Sequence, residues 1–186
     1  LYAAKLVSRF HPAVIVSSGL ALGALGYLFV VFFGSRNDLL LMTSFMFLGL
    51  SVGAAQTISN DLILSSVPAN KAGAASAISE TAYEFGTVLG TVVIGGMLTA
   101  IYRAQVTVPA GLNADAAHAA GETLGGATAV AGQLPSDLSA ELLHSAHAAF
   151  DSGVLVTATF SAVLLAVLSV FTYRMLRSAP AELEKA

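Results

Sequence analysis

Residues 79–102 read SETAYEFGTVLGTVVIGGMLTAIY, and everything after Glu84 in that stretch is free of Asp, Glu, Lys, Arg and His. The hydrocarbon core of a bilayer is about 30 Å thick and takes about 20 apolar residues of helix to cross. The stretch therefore predicts a membrane-spanning helix from about Ala74 to Tyr102. It also raises a question, because Glu80 and Glu84 place two carboxylates one turn apart near the start of that helix.

Three further segments have the same character. Pro12–Phe33 is closed by GSRND at 34–38, and Leu39 to about Val67 is closed by PANKAG at 68–73. The last runs from about Ser152 to Tyr173, inside a segment 151–174 that leaves 175–186 as a tail. The expected fold is an all-α membrane protein with four transmembrane helices. Lys5 and Arg9 ahead of the first run raise the alternative of a signal peptide. That run exceeds the usual apolar length of about 7–15 residues, and no small-x-small cleavage site follows it.

Composition supports the membrane reading. Hydrophobic residues make up 56% of the chain and charged residues 10%, whereas soluble domains carry about 25% charged residues. The net charge of −3 offers no basic surface for nucleic acid. Without cysteine there are no disulfides, thiolate metal sites or cysteine nucleophiles. No Ser/His or metal constellation falls at membrane depth, since His118, His144 and His147 follow the third span and His11 lies at the edge of the first. Enzyme chemistry is not expected, nor is a cofactor. The chain opens on Leu1 and meets a span by residue 12, so the sequence reads as part of a longer protein.

Positive charge sets the orientation. With the N-terminus inside, Lys5, Arg9, Lys71, Arg174, Arg177 and Lys185 are cytoplasmic, and only Arg36 and Arg103 lie outside. Residues 104–150 then form an extracytoplasmic loop without Lys or Arg, and the C-terminus is cytoplasmic. The second half of that loop, PSDLSAELLHSAHAAF, reads as a short helix with Ser136 as its N-cap. Glu141, His144 and His147 recur at spacings of three, which fits either a metal site on one face or a solvated helix surface; a zinc site normally takes three or four ligands.

Small residues mark helix contacts. Gly19/Gly23, Gly49/Gly53 and Gly86/Gly90 are G-x-x-x-G pairs, and Ala158, Ala162 and Ala166 repeat the spacing on the last span. Such spacing lets helices approach closely in lipid.

Polar residues are unevenly shared. Spans one and four have no ionisable residue in their apolar cores, while span two carries Gln56, Thr57, Asn60 and Asp61 and span three carries Glu80 and Glu84. The first and last spans are thus expected to be supports, and the middle two to face a cavity or partner. At 100° per residue, Glu80, Glu84, Thr87 and Thr91 fall within roughly 60° of arc, and Gly86 and Gly90 lie well away from them. Measured from Ala74, Glu80 is about 9 Å deep and Glu84 about 15 Å, near the midplane. Tyr83 stands at the edge of the stripe, where its ring can offer a cation–π surface. Asp61, about 9 Å from the inner surface, reads either as a helix-end cap or as a partner for an Arg elsewhere.

Intramembrane carboxylates mark ion or substrate pathways by default. Two of them about 6 Å apart repel by about 3 kcal/mol at an effective dielectric near 20, and burial further disfavours charge. Such a pair is expected to hold a proton in common and to release it when a cation arrives, which is the basis of an antiporter.

Lys71-Ala72-Gly73, Ala75-Ser76, Glu80, Glu84 and Gly86 resemble the penultimate-helix region of QacA-like multidrug exporters, in the fourteen-helix drug:proton antiporter branch of the major facilitator superfamily. The resemblance covers essentially the whole chain as the last four helices, part of the C-terminal bundle. It implies that the second span lines the central cavity, the third lies at its side, and the others are outer supports. It also implies export of lipophilic cations against protons across a bacterial inner membrane, with Glu80 and Glu84 in proton coupling and cation recognition. Asp61 matches a family acid near the inner end of the preceding helix, and Thr57, Asn60, Tyr83, Thr87 and Thr91 become candidates for the cavity wall. The expected partners are protons, lipophilic cations, the bilayer and the remaining helices. Two departures stand out: the second acid is Glu84, where the family often has Asp, and Ala74 stands where Asn is common. The alternatives are an exporter of one metabolite or antibiotic in the same superfamily, and a non-transporting four-span scaffold.

Overall fold

The computed structural model describes residues 12–34 and 38–178. Lys5, Arg9, His11, Arg36 and Lys185, which entered the reading of charge and sites above, lie outside the described residues. The regular elements among the described residues are helical: α1 Pro12–Phe33, α2 Asp38–Ser65, a single 3-10 turn Ala69–Lys71, α3 Ala72–Gln105, α4 Ala114–Glu122, α5 Leu124–Ala131 and α6 Ser136–Ser178. Helices α1, α2, α3 and α6 are long and apolar enough to cross a membrane. The chain is an all-α, multi-pass membrane protein.

Local chemistry explains the boundaries. Pro12 opens α1 at a position where its missing N–H costs nothing. Asp38 lies in the first turn of α2, where a carboxylate meets the positive end of the helix dipole. Pro68 cannot continue α2, and its carbonyl accepts instead from the Lys71 amide at 2.8 Å. Several hydroxyl side chains within the apolar helices are satisfied by their own backbone, as Ser17 to Ala13, Ser44 to Leu40, Thr57 to Gly53 and Thr81 to Ala77. This bonding removes the penalty of a bare hydroxyl in an apolar medium.

Two compact units divide the chain: Leu1–Gly86 with Ala158–Ala186, and Thr87–Thr157. Helices α3 and α6 contribute to both.

In the first unit α1 packs along α2, with α6 also against α1. Of the three G-x-x-x-G pairs, only Gly19/Gly23 makes this contact. Gly19 faces the Ala55 backbone, and Gly23 leaves no room for a methyl, since a Cβ there would stand 2.6 Å from Ser51 Oγ and 3.0 Å from Leu165 Cδ1. A Cβ on Gly49, Gly53, Gly86 or Gly90 would meet nothing within 4 Å. In contrast to the spacing argument, α2 thus presents Ser51 and Ala55 to α1, not its glycines. Two hydroxyls bond across helices: Ser51 Oγ donates to Gly19 O at 2.7 Å, and Ser169 Oγ to Ser17 O at 2.7 Å. Ile15, Val16 and Ile58 close the apolar contact, with Leu62 and Leu176 against them. On α6, Ala158 and Ala162 are buried, but Ala166 is exposed.

The second unit has a core of small side chains around one large ring. Tyr102 is 2% exposed and packs with Ala120, Ala127, Ala131, Leu142, Ala146 and Ala149; its hydroxyl donates to Ala120 O at 2.9 Å. Asn113 caps α4 by accepting from the Ala116 amide, and Thr123 caps α5 by accepting from the Gly126 amide. Gly126 allows close approach of the two short helices, since a Cβ there would run into the Ala119 carbonyl. Gly111 has φ +98°, a left-handed conformation that ends the extended stretch after α3.

Residues 104–150, expected to be a loop with one short helix, hold α4, α5 and the opening turns of α6. No break separates that expected helix from the last span: DLSAELLHSAHAAFDSGVLVT has no proline, and its Ser152-Gly153 pair, a turn signal in other settings, is tolerated inside the helix. Ser136 is the first residue of α6 and not its cap: the Pro135 carbonyl accepts the first helical bond, from Ser139.

Candidate functional site

The first unit carries the three acids of the candidate site. Asp61 lies in the last turns of α2, and Glu80 and Glu84 lie in the first half of α3. From Glu80 to Glu84 the rise is about 6 Å, so the carboxylates sit one above the other on a helix without a kink-forming proline. All three acids are on the surface of the unit. No ion pair among the described residues engages them. The backbone of α3 brings Glu80 and Glu84 together; nothing in the hydrogen-bonding pattern ties Asp61 to them.

The other candidates occupy different surroundings. Thr57 is exposed, with its hydroxyl bonded to Gly53 O at 2.8 Å, and Asn60 is half-buried on the same helix. Tyr83 is half-buried between the two glutamates in sequence, and Ser79, one turn before it, is buried. Thr87 and Thr91 are exposed on α3 and belong to the second unit.

Large apolar side chains surround the acids on α3 with their faces open: Ile78 is 72% exposed and Phe85 65%. A helix with this surface needs lipid or other protein around it. The carboxylates share that environment.

In the second unit, ionisable side chains gather that the spacing argument did not single out. Arg103, at the end of α3, pairs with Glu122 at the end of α4, and His118 Nε2 stands 3.9 Å from the other Glu122 oxygen. The signal available in sequence was Arg103 being the lone cation beside residues 104–150, which contain acids but no Lys or Arg. The metal reading of Glu141, His144 and His147 finds no support. Among the described residues no three His, Asp or Glu side chains are grouped to hold an ion. His147 Nδ1–H donates to Leu143 O at 2.8 Å, so that ring is turned along its own helix.

Four apolar crossing helices, one of them bearing a pair of acids one turn apart, define a multi-pass membrane protein with a polar feature inside its apolar surface. No family model matches the chain. It is similar to the multidrug efflux pump LfrA of Mycolicibacterium smegmatis, with 49% identity over 164 residues, 87% of this chain and 32% of the pump. It is also similar to the methyl viologen resistance protein SmvA of Salmonella typhimurium in two strains, with 34% identity over 159 residues, 80% of this chain and 30% of that protein. The chain thus spans about a third of the length of the curated relatives it matches.

Proposed function

We propose that this chain supplies the last four membrane helices of a proton-coupled multidrug exporter, which moves lipophilic cations out of a bacterial cell by alternating access. The observation that carries the reading is Glu80 above Glu84 on a 34-residue helix that is otherwise apolar for most of its length. Two like charges at this spacing repel, so a shared proton is favoured while the site is empty. An organic cation reverses that preference and expels the proton. The similarity to a multidrug efflux pump and to a methyl viologen resistance protein supports the same chemistry, because methyl viologen is a flat organic dication.

In this reading Glu80 and Glu84 couple protons to the cation, and Asp61 adds charge from α2. Thr57, Asn60, Tyr83, Thr87 and Thr91 contribute to the wall, and the protein acts as a transporter, not an enzyme. In this orientation Lys71, Arg174 and Arg177 face the cytoplasm, residues 104–150 lie outside the cell and the C-terminus lies inside. Helical spans, as opposed to the closed barrels of outer membranes, support an inner-membrane reading.

The test is resistance conferred by the intact gene in an efflux-deficient host, against quaternary ammonium and bipyridinium compounds. The expected result is resistance from the wild type and its loss in Glu84→Gln at equal membrane abundance. Equal resistance from Glu84→Gln and wild type removes the coupling role. No resistance from the wild type favours a dedicated metabolite exporter or a scaffold.

A further inference from the structure

The last turns of α6 bring two arginines to the end of an exposed apolar surface. The packed side of this helix is marked by Leu165 against Gly23, Ser169 bonded to Ser17 O, and Leu176 on the cluster of Ile15, Val16 and Ile58. The Leu176 contact holds the helix down to its last turn and so fixes the direction of its neighbours. At 100° per residue, Val163, Val167, Val170, Phe171, Arg174 and Arg177 share about 120° of arc on the side away from Leu176. All six are exposed. From Val163 to Arg177 every exposed residue other than Tyr173 and the two arginines is apolar.

Arg177 is held in place. Its Nη1 donates to the Tyr173 hydroxyl at 2.8 Å, and its guanidinium lies 5.7 Å from the centre of the same ring. A hydrogen bond and a cation–π contact to one side chain pre-order a group that otherwise has many rotamers. Tyr173 takes one of the five N–H donors of the fork, and the hydroxyl that accepts it still has its own hydrogen to donate. Among the described residues no ion pair engages Arg177. Arg174, one turn earlier, is a neighbour of the same sign. An anion between the two would relieve their repulsion and accept from both.

The surroundings select the anion. Val170 to Arg174 is a rise of about 6 Å, so the guanidiniums begin where the open apolar surface stops. Acyl chain followed by phosphate is the order of groups in a phospholipid. A soluble anion would use the arginines and have no use for the valines. Guanidinium forks bind phosphate in bidentate fashion, tyrosine is enriched at the membrane–water interface, and basic residues there attract anionic lipids.

We propose that this end of α6 is a binding site for an anionic phospholipid. Arg177, Arg174 and the Tyr173 hydroxyl hold the phosphate, and an acyl chain lies along Val170, Val167 and Val163. Tyr173 also acts as the positioning residue for Arg177. In the orientation given above the lipid belongs to the cytoplasmic leaflet. The site does not rest on the transport reading.

The test titrates purified intact protein, in neutral-detergent micelles, with phosphatidylglycerol and with phosphatidylcholine of the same acyl chains, and counts bound lipid by native mass spectrometry. The variants are Arg177→Gln, Arg177→Lys and Tyr173→Phe, with Lys71→Gln as the control for net charge. The wild type is expected to prefer phosphatidylglycerol. Arg177→Gln weakens that binding at least about tenfold, a change of about 1.4 kcal/mol. Arg177→Lys and Tyr173→Phe each weaken it about threefold, the scale of one lost hydrogen bond, at unchanged thermal stability, and Lys71→Gln leaves it near wild type. If Arg177→Gln is not recovered folded, Arg177→Lys and Tyr173→Phe decide in its place. Equal binding of the two lipids by the wild type overturns the proposal. So does equal loss in Arg177→Gln and Lys71→Gln, which reduces the effect to net charge. Displacement of the lipid by an equal concentration of inorganic phosphate makes this a soluble-anion site and overturns it as well. Lipid binding is read without transport, so its failure and that of the exporter reading are separate results.

Discussion

Gly23→Ala measures how tightly α1 and α2 are joined, and its size can be worked from the contact. The new methyl would stand 2.6 Å from Ser51 Oγ and 3.3 Å from Ser51 Cβ. Overpacking of this kind costs about 1–3 kcal/mol. Turning the hydroxyl away also breaks its bond to Gly19 O, and interhelical bonds in membranes are worth about 0.6–2 kcal/mol. Alanine returns about 1 kcal/mol of helix propensity, which leaves a net loss of about 1–4 kcal/mol. Ser51→Ala alone loses only the hydrogen bond. In that background the Gly23 methyl no longer meets an oxygen, so the double variant is less damaged than the sum by about 1–2 kcal/mol. Equilibrium unfolding of the intact protein by SDS in mixed micelles supplies the four free energies. Gly53→Ala, where the methyl meets open space, is the control and is expected to be neutral or slightly stabilising. Additivity within about 0.5 kcal/mol, or equal damage from Gly53→Ala, would refute the assignment of Gly23 as the packing glycine.

Two further outcomes concern the second unit. Tyr102→Phe keeps the ring but leaves Ala120 O without its donor, at a cost of about 1–3 kcal/mol; hydrogen exchange at the α4 amides is expected to quicken, while exchange in α1 and α2 stays as in wild type. Gly111→Ala forces a side chain into a left-handed turn at φ +98° and costs about 1–2 kcal/mol, seen as faster proteolysis between α3 and α4. Gly111→Asn is expected to recover part of that loss, because asparagine tolerates this region better than alanine.

The crossing helices were legible because lipid imposes a length and an apolar surface that composition records directly. Helix partners were less so. Three glycine pairs have identical spacing, but spacing says only that a backbone can be approached, not that anything approaches it. The contact of Gly23 with Ser51 depends on which side of α2 meets α1, and that is settled by tertiary packing of Ser44, Ser51 and Ile58. The extent of α6 was missed for a related reason: the change from a charged to an apolar surface near Asp151 alters what surrounds the helix without interrupting its backbone. The acids of the candidate site were visible as residues against an apolar background.

That arrangement constrains what surrounds the chain. In α1 and α6, Ser17, Thr157 and Ser161 are buried, with Ser17 bonded within its own helix and Ser169 reaching across to Ser17 O. In α2 and α3 the polar groups that remain exposed include Asp61, Glu80 and Glu84. On insertion scales an acid at the centre of a lipid-facing helix costs about 2.5–3.5 kcal/mol. For Glu84, near the midplane, that cost alone is a large share of the stability of a typical domain, about 5–15 kcal/mol. Lipid is therefore the wrong neighbour for those sides of α2 and α3, while the valine and leucine surface of α6 suits it. An aqueous cavity or further protein must cover the acids.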